Sequence, residues 1–366
     1  MLPLKRGWLV ALLGLAVSLA MGVPPALVSS QSAGKEEGLL AALNKLSPSQ
    51  RREKLEQEAR REGKVVFYTG FTFASVPMLV EGFQKAYPYV KVEVLNLGPA
   101  DLLPRYLSES QANRPFADII HFPSEQMYIV LKAGTVAKYN APERVNYANN
   151  QKDAQGYWTT MNWDLEGVMY NTSQVQPQDV PKTLADLLEP KYKGRLARTA
   201  IGGRFVAAVR KFYGNEQGLA YLQHLAGQDI RIYASNSALA GAIATGERPI
   251  AFDQHLNNYG VVKEKGAPVQ FVVVNPTFLH LNGVAIAKGA PHPYAAALLY
   301  DWLVSKSGQE VIAAAGFQPA HRQVRGPYPE LWQQAKKGVV IAYTPELVGP
   351  ASAENSKIFT DLFIRR

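Results

Sequence analysis

The stretch DQH at 253–255 sets a carboxylate, Asp253, two residues from an imidazole, His255, in a 366-residue chain with six histidines and no cysteine. Without cysteine there is no thiol nucleophile, disulfide, zinc ribbon, iron–sulfur cluster or lipidated N-terminal cysteine, so any chemistry falls to oxygen, nitrogen and aromatic faces. His121, His224, His255, His280, His292 and His321 never pair at helical ligand spacing, and G-x-S-x-G, H-E-x-x-H, P-loop and dinucleotide fingerprints are missing. A hydrolase or metalloenzyme is thereby disfavoured, and no cofactor is expected. A metal set drawn from Asp253, His255, Glu125 and Tyr259 stays open. A lone D-x-H nevertheless falls short of the three or four ligands that structural sites use.

The remaining candidates are short polar side chains and glycines that follow strand-like runs. TGFTFAS at 69–75 offers Thr69, Gly70, Phe71 and Thr72; PSEQ at 123–126 offers Ser124 and Glu125. TAIGGR at 199–204 puts Gly202, Gly203 and Arg204 at the mouth of a helix, and SNS at 235–237 adds Ser235 and Asn236. A helix N-terminus presents free N–H groups and the positive end of a dipole, worth about 0.3–2 kcal/mol to an anion, and an arginine there adds a bidentate clamp. The plainer alternatives are that the Ser and Thr residues only cap helices and that Arg204 pairs on the surface with an acid such as Glu216. Aromatic residues near the same rim (Tyr68, Phe71, Phe73, Tyr128, Trp158, Trp163, Tyr259) read mainly as core packing.

The elements that would position these residues alternate. Residues 36–62 read as a charged helix ending at Gly63, VVFY (65–68) as a strand, and Val76–Tyr87 as a helix with one apolar face. VKVEVL (90–95), a helix near 101–112 and ADIIHF (117–122) continue the pattern. Strands joined by helices argue for a parallel α/β sheet, and ligands of such sheets gather where strand C-termini meet helix N-termini. A second unit opens with the strand WDLEGVMYN (163–171), continues through a helix over 181–197 broken by Pro190 and Gly194, and contains a capped helix and strand in SNSALAGAIATGERPIAFD.

The N-terminus has Lys5 and Arg6, an apolar run from Gly7 to Val23 and small residues Val28 and Ser30, the layout of a secretory signal covering 1–30. The run is short of the ~20 residues a membrane span prefers. The formal charge of +9 falls to +7 without Lys5 and Arg6. The densest charge run, at 51–64, mixes both signs at helical spacing and reads as a solvated helix, so an exported basic protein is expected to meet anionic solutes rather than nucleic acid.

EGKVVFYTG, ADIIHF, GYWTTMNWDLEGVMYNT, PKTLADLLEPKYKGRLA, ATGERPIAF and NGVAIAKGAPHPYAAALLYDWLVSKSGQEVI together resemble extracellular solute-binding proteins of ABC importers. The group most similar contains the ferric-iron binders and relatives that carry thiamine, phosphonates or other anionic compounds. The resemblance implies a two-lobed type II periplasmic-binding-protein fold with two crossover hinge strands, near Asn162–Tyr170 and Phe278–Ala287. It divides the chain into a lead-in at 31–63, lobe one at 64–161, lobe two at 162–277, a return to lobe one at 278–337 and a tail at 338–366 that packs on either lobe. It implies a periplasmic, monomeric receptor that hands a small anionic or zwitterionic solute to membrane permease subunits. Thr69, Gly70, Phe71, Thr72, Ser124 and Glu125 would form one wall; Gly202, Gly203, Arg204, Ser235, Asn236 and His255 the other. The iron binders carry adjacent tyrosines, and here Leu256 and Asn257 fall at those positions, with Thr72 at the place of a first-loop histidine, which argues against bare Fe(III).

Overall fold

A computed structural model describes residues 37–71 and 75–365, so the expected signal segment and Thr72 lie outside the described residues. Ser47 interrupts the helix expected over 36–62. Its side chain accepts from the Gln50 N–H, the Gln50 side chain returns to the Ser47 N–H, and Pro48 takes the first turn. Helix α1 therefore runs Pro48–Glu62 and ends on Gly63 at φ 71°.

The first unit then alternates as β1 (Lys64–Thr69), α2 (Val76–Ala86), β2 (Lys91–Asn96), α3 (Pro99–Gln111), β3 (Ile119–Pro123) and α4 (Ser124–Lys132). The second contains β4 (Thr159–Asn171), β5 (Leu196–Thr199), α5 (Gly203–Tyr213), α6 (Asn215–Ala226), β6 (Arg231–Tyr233), α7 (Asn236–Thr245), β7 (Ile250–His255), α8 (Leu256–Glu264) and β8 (Val269–Val272). The chain returns through β9 (Thr277–Ile286), α9 (Pro293–Val304), α10 (Lys306–Ala314), β10 (Gln318–Pro319) and α11 (Pro329–Ala335). It ends with β11 (Val340–Tyr343), α12 (Pro345–Val348) and α13 (Ser352–Phe363).

The strands order as β2-β1-β3-β9-β4-β7-β5-β6, with β8 and β10 on β4 and β11 on β9. Both ends are parallel, β1 against β2 and β3, and β5 against β6 and β7. Between them β4 and β9 run antiparallel to each other. The later part of β9 pairs with β3, and the later part of β4 pairs with β7 and β8. These two long, fully buried strands are the connections between the two halves.

Residues 181–197 do not form the expected helix. The Asp186 carboxylate accepts the backbone N–H groups of Lys182 and Thr183 at 2.8 and 3.0 Å. That local pairing competes with a helical ladder, and only the short 3-10 turns Asp186–Leu188 and Pro190–Tyr192 form. The tail touches both halves: β11 lies parallel on β9, Gly349 after α12 packs on Tyr128 of α4, and Phe359 and Phe363 of α13 join the apolar cluster of β5, α5 and α6.

Candidate functional site

Side chains alternate across a strand, so Asn162, Asp164 and Glu166 of β4 project from one face of the sheet while Trp163 and Leu165 take the other. Asp164 is registered with His280 of β9, and Glu166 with His255 of β7. All four are buried. Near its end β7 carries a bulge: Phe252 and Asp253 stand against Val168 alone, and Asp253 sits at φ 61°. A bulge re-aims the residues beyond it, and here it turns His255 onto Glu166.

An ionic network joins the halves. Arg204, at the start of α5, places Nε 3.2 Å from Glu166 Oε1 and Nη1 3.7 Å from Glu125 Oε1 on α4. His255 Nε2 lies 3.1 Å from both Glu166 Oε1 and Arg204 Nη2, while its Nδ1 faces Asp164 Oδ2 at 3.7 Å. Tyr343 of β11 donates its hydroxyl to Glu166 Oε2 at 2.9 Å. Asp253 is taken up by Arg198, with Oδ2 to Nη2 at 2.6 Å. On the side of β1 and β3, Thr69 Oγ1 meets His121 Nδ1 at 3.0 Å, and His121 Nε2 meets Asn162 Oδ1 at 3.2 Å.

The network is half satisfied. Both ring nitrogens of His280, Asp164 Oδ1, Asn162 Nδ2 and Glu125 Oε2 are buried without a hydrogen-bond partner among the described residues. Burial, then the neighbouring Arg204 charge, pushes the His280 pKa well below the usual range, so the ring is neutral with a free lone pair. Burial likewise lowers the His255 pKa and raises that of Asp164, the latter partly offset by His255. For Arg204 burial opposes the charge, but Glu166 and Glu125 outweigh it and its pKa rises. Asp164, His255 and His280 each offer a ligand atom within 4.8 Å of the others.

A model of the bacterial extracellular solute-binding protein family matches residues 78–337. The chain belongs to this family. Its sequence is 23% identical over 266 residues to the Fe(3+)-binding periplasmic protein of Serratia marcescens, covering 70% of this chain and 78% of that one. It is 24% identical over 283 residues to the major ferric iron-binding protein of Neisseria meningitidis, covering 72% and 80%. Iron-bound HitA from Pseudomonas aeruginosa superposes with a TM-score of 0.72 at 23% identity over 82% of this chain and 99% of that one. AfuA from Actinobacillus pleuropneumoniae, with fructose-6-phosphate bound, gives 0.70 at 21% over 83% and 100%. The fold is thus the type II periplasmic-binding-protein fold, with β4 and β9 as the crossing strands.

In this solute-binding protein Glu125, Arg204 and His255, from the two expected walls, meet in one network. Thr69 is linked through His121 to Asn162 of β4, and that chain stops there, since Asn162 Nδ2 has no partner among the described residues. Gly70 lies against Pro99, and Phe71 is buried on Phe317, with ring centroids 4.4 Å apart. Ser124 donates to the Leu281 carbonyl at 3.2 Å. Gly202 and Gly203 lie beneath α13: a Cβ on Gly202 would stand 2.1 Å from Phe359, and one on Gly203 2.6 Å from Ser356 Oγ. Their lack of a side chain serves this close approach, and the C-terminal helix covers the helix mouth expected to hold an anion. Ser235 caps α7 by accepting the Ala238 N–H, and the Asn236 carbonyl accepts from Gln254. Among the alternative metal ligands, Asp253 is paired to Arg198, and Tyr259 packs between Phe271 and Tyr328. Leu256 is buried at the start of α8, and the Asn257 N–H reaches Asp164.

Asp164, Glu166, His280, Arg198 and Tyr343 were not among the residues singled out in the sequence. The signal was present for three of them: N-x-D-x-E in β4 and H-x-N in β9 place polar groups at period two inside otherwise apolar strands. Such a stripe on a buried strand needs partners or a ligand.

Proposed function

We propose that this solute-binding protein is the periplasmic receptor of an ABC importer, closing its two lobes over a small cation or cation-bearing solute and presenting the closed form to permease subunits. The observation that carries this reading is the set of buried polar atoms on the two crossing strands that lack a partner among the described residues: Asp164 Oδ1, an acceptor, and the two nitrogens of His280, one of which carries a lone pair in the neutral ring. Four buried or half-buried carboxylates (Glu125, Asp164, Glu166, Asp253) face two guanidinium groups (Arg198, Arg204). Arg204 is already matched by Glu166 and Glu125, so a free anion has no unspent cation there and would meet carboxylates instead. This charge balance favours a cationic group over the anion expected from composition. The relatives named for ferric iron and periplasmic location support both the compartment and a cation cargo, whereas the sugar-phosphate complex of AfuA is the contrasting case.

Closure supplies the signal. A micromolar ligand makes about 8 kcal/mol available, and only its preference for the closed form shifts the equilibrium. The Glu125–Arg204 contact spans the lobes and can form only when they approach. The test is native mass spectrometry of protein taken from its own periplasm, followed by X-ray scattering before and after cargo removal. A co-purified small solute whose removal expands the particle supports the reading; an unchanged radius with no bound solute overturns it.

A further inference from the structure

Resting on that receptor reading, we infer that Asp164, His255 and His280 form a three-ligand site for a borderline divalent transition-metal cation, which is the cargo or the part of it the protein grips. His255 Nε2 lies 3.1 Å from both Glu166 Oε1, an acceptor, and Arg204 Nη2, a donor; with the ring proton on Nε2 toward Glu166, the Nδ1 lone pair faces Asp164 at 3.7 Å. A carboxylate that holds the far nitrogen of a ligating histidine fixes its orientation and raises its basicity. Glu166 is itself held by Arg204 and by the Tyr343 hydroxyl, so the support reaches back to α5 and β11.

His280 needs explaining on any reading. It is 8% exposed, and neither nitrogen has a partner among the described residues. An imidazole buried this way costs about 1–3 kcal/mol for each group left unsatisfied. A metal would use one of those nitrogens directly. The rings of His255 and His280 lie 5.0 Å apart and are tilted by 44°, so neither blocks the other. The three donor atoms lie within 4.8 Å of one another. Bonds of about 2.0–2.2 Å to nitrogen and oxygen would draw them in by an ångström or so, within reach of side-chain rotation.

The donor set decides the class. Two neutral imidazoles and one carboxylate suit zinc and its first-row neighbours, whereas a hard trivalent ion prefers anionic oxygens. Three protein ligands also leave a coordination position open for water or for an organic chelator carried with the ion.

The test uses the full mature chain stripped of metal, titrated with Zn(II) and Co(II) and, separately, with Fe(III)-citrate. Expected are one Zn(II) or Co(II) per chain, a cobalt visible spectrum typical of mixed nitrogen and oxygen ligation, and weaker response to Fe(III). His280→Gln should weaken Zn(II) by more than the ~10–100-fold that loss of an outer-sphere partner produces, and Glu166→Gln by an amount inside that range. The cobalt spectrum of the unaltered protein needs no variant, so a misfolded His280→Gln protein leaves the test intact. Failure of the unaltered protein to bind either divalent ion saturably, or equal Zn(II) affinity with and without His280, overturns the metal site. If metals fail while an organic cation co-purifies and is lost in Glu166→Gln, the metal site is overturned and the receptor reading survives. If nothing binds, both are overturned.

Discussion

Two aspartate–histidine pairs, each with its aspartate buried, sit in different parts of this protein, and they are built in opposite ways. Beside β1 and β3, Asp118 is fully buried and accepts the Val66 N–H at 2.7 Å, the His292 N–H at 2.7 Å and the His292 Nδ1–H at 2.9 Å. It ties β1 and β3 to the start of α9, and the hydrogen bond it accepts from His292 Nδ1 raises the His292 pKa against the effect of burial. Where β4, β7 and β9 meet, Asp164 keeps one oxygen and His280 both nitrogens without a partner among the described residues, with burial driving the His280 pKa down. The first pair is finished by the fold, as buried polar groups normally are. The second is left unfinished among the described residues, and a partly satisfied network of this kind is costly for as long as its buried groups stay unpaired.

The contrast can be broken by substitution. Asp118→Ala strips three donors of their acceptor at once and leaves His292 uncompensated, so a loss of about 3–5 kcal/mol is expected in urea unfolding, with cargo affinity unchanged in whatever fraction folds. A loss below about 1 kcal/mol would remove the distinction from that side. Gly202→Ala drives a methyl group into Phe359 and should cost about 1–3 kcal/mol, as overpacking does, releasing the tail to proteolysis; full resistance would show that α13 yields easily.

His280→Leu keeps similar bulk while deleting two unsatisfied nitrogens. Unfolding stability should hold or rise by about 1 kcal/mol even as cargo binding disappears; a fall of that size would mean the ring is already satisfied by the fold. The smallest effect is in pH. His292 is charged more readily in the folded chain than in the unfolded one, so its contribution is complete below the unfolded pKa of about 6.5 and is lost as pH rises through the higher folded value. The melting-temperature gap between the natural protein and His292→Gln should therefore narrow from pH 5.5 to 8.5; a constant gap would detach the pair from titration.

Much of the fold was legible because hydrophobic periodicity and helix punctuation are local. The alternation from Lys64 to Phe122, the Ser235 cap and the two crossing strands need only neighbours in sequence or a family pattern. The break at Ser47 was missed because a capping box competes with an uninterrupted charged pattern, and the helix over 181–197 because Asp186 diverts the backbone. The site was less legible. Glu125, Arg204 and His255 carry chemistry that advertises itself in loops and helix starts, but Asp164, Glu166 and His280 lie within strands whose role is read first as core. Their partners come from registers set across the sheet, and the bulge at Asp253 shifts that register by one residue, so spacing along the chain could not announce it. Gly202 and Gly203 show the converse: a glycine pair at a helix mouth looks like an anion cradle until a helix from the end of the chain is found lying on it.

The most direct measurement is anomalous diffraction at the zinc edge from crystals of the metal-stripped protein soaked in Zn(II). The prediction is one dominant peak between the lobes, about 2.0–2.2 Å from donor atoms of Asp164, His255 and His280. No peak there, or zinc found only at surface residues, would contradict it.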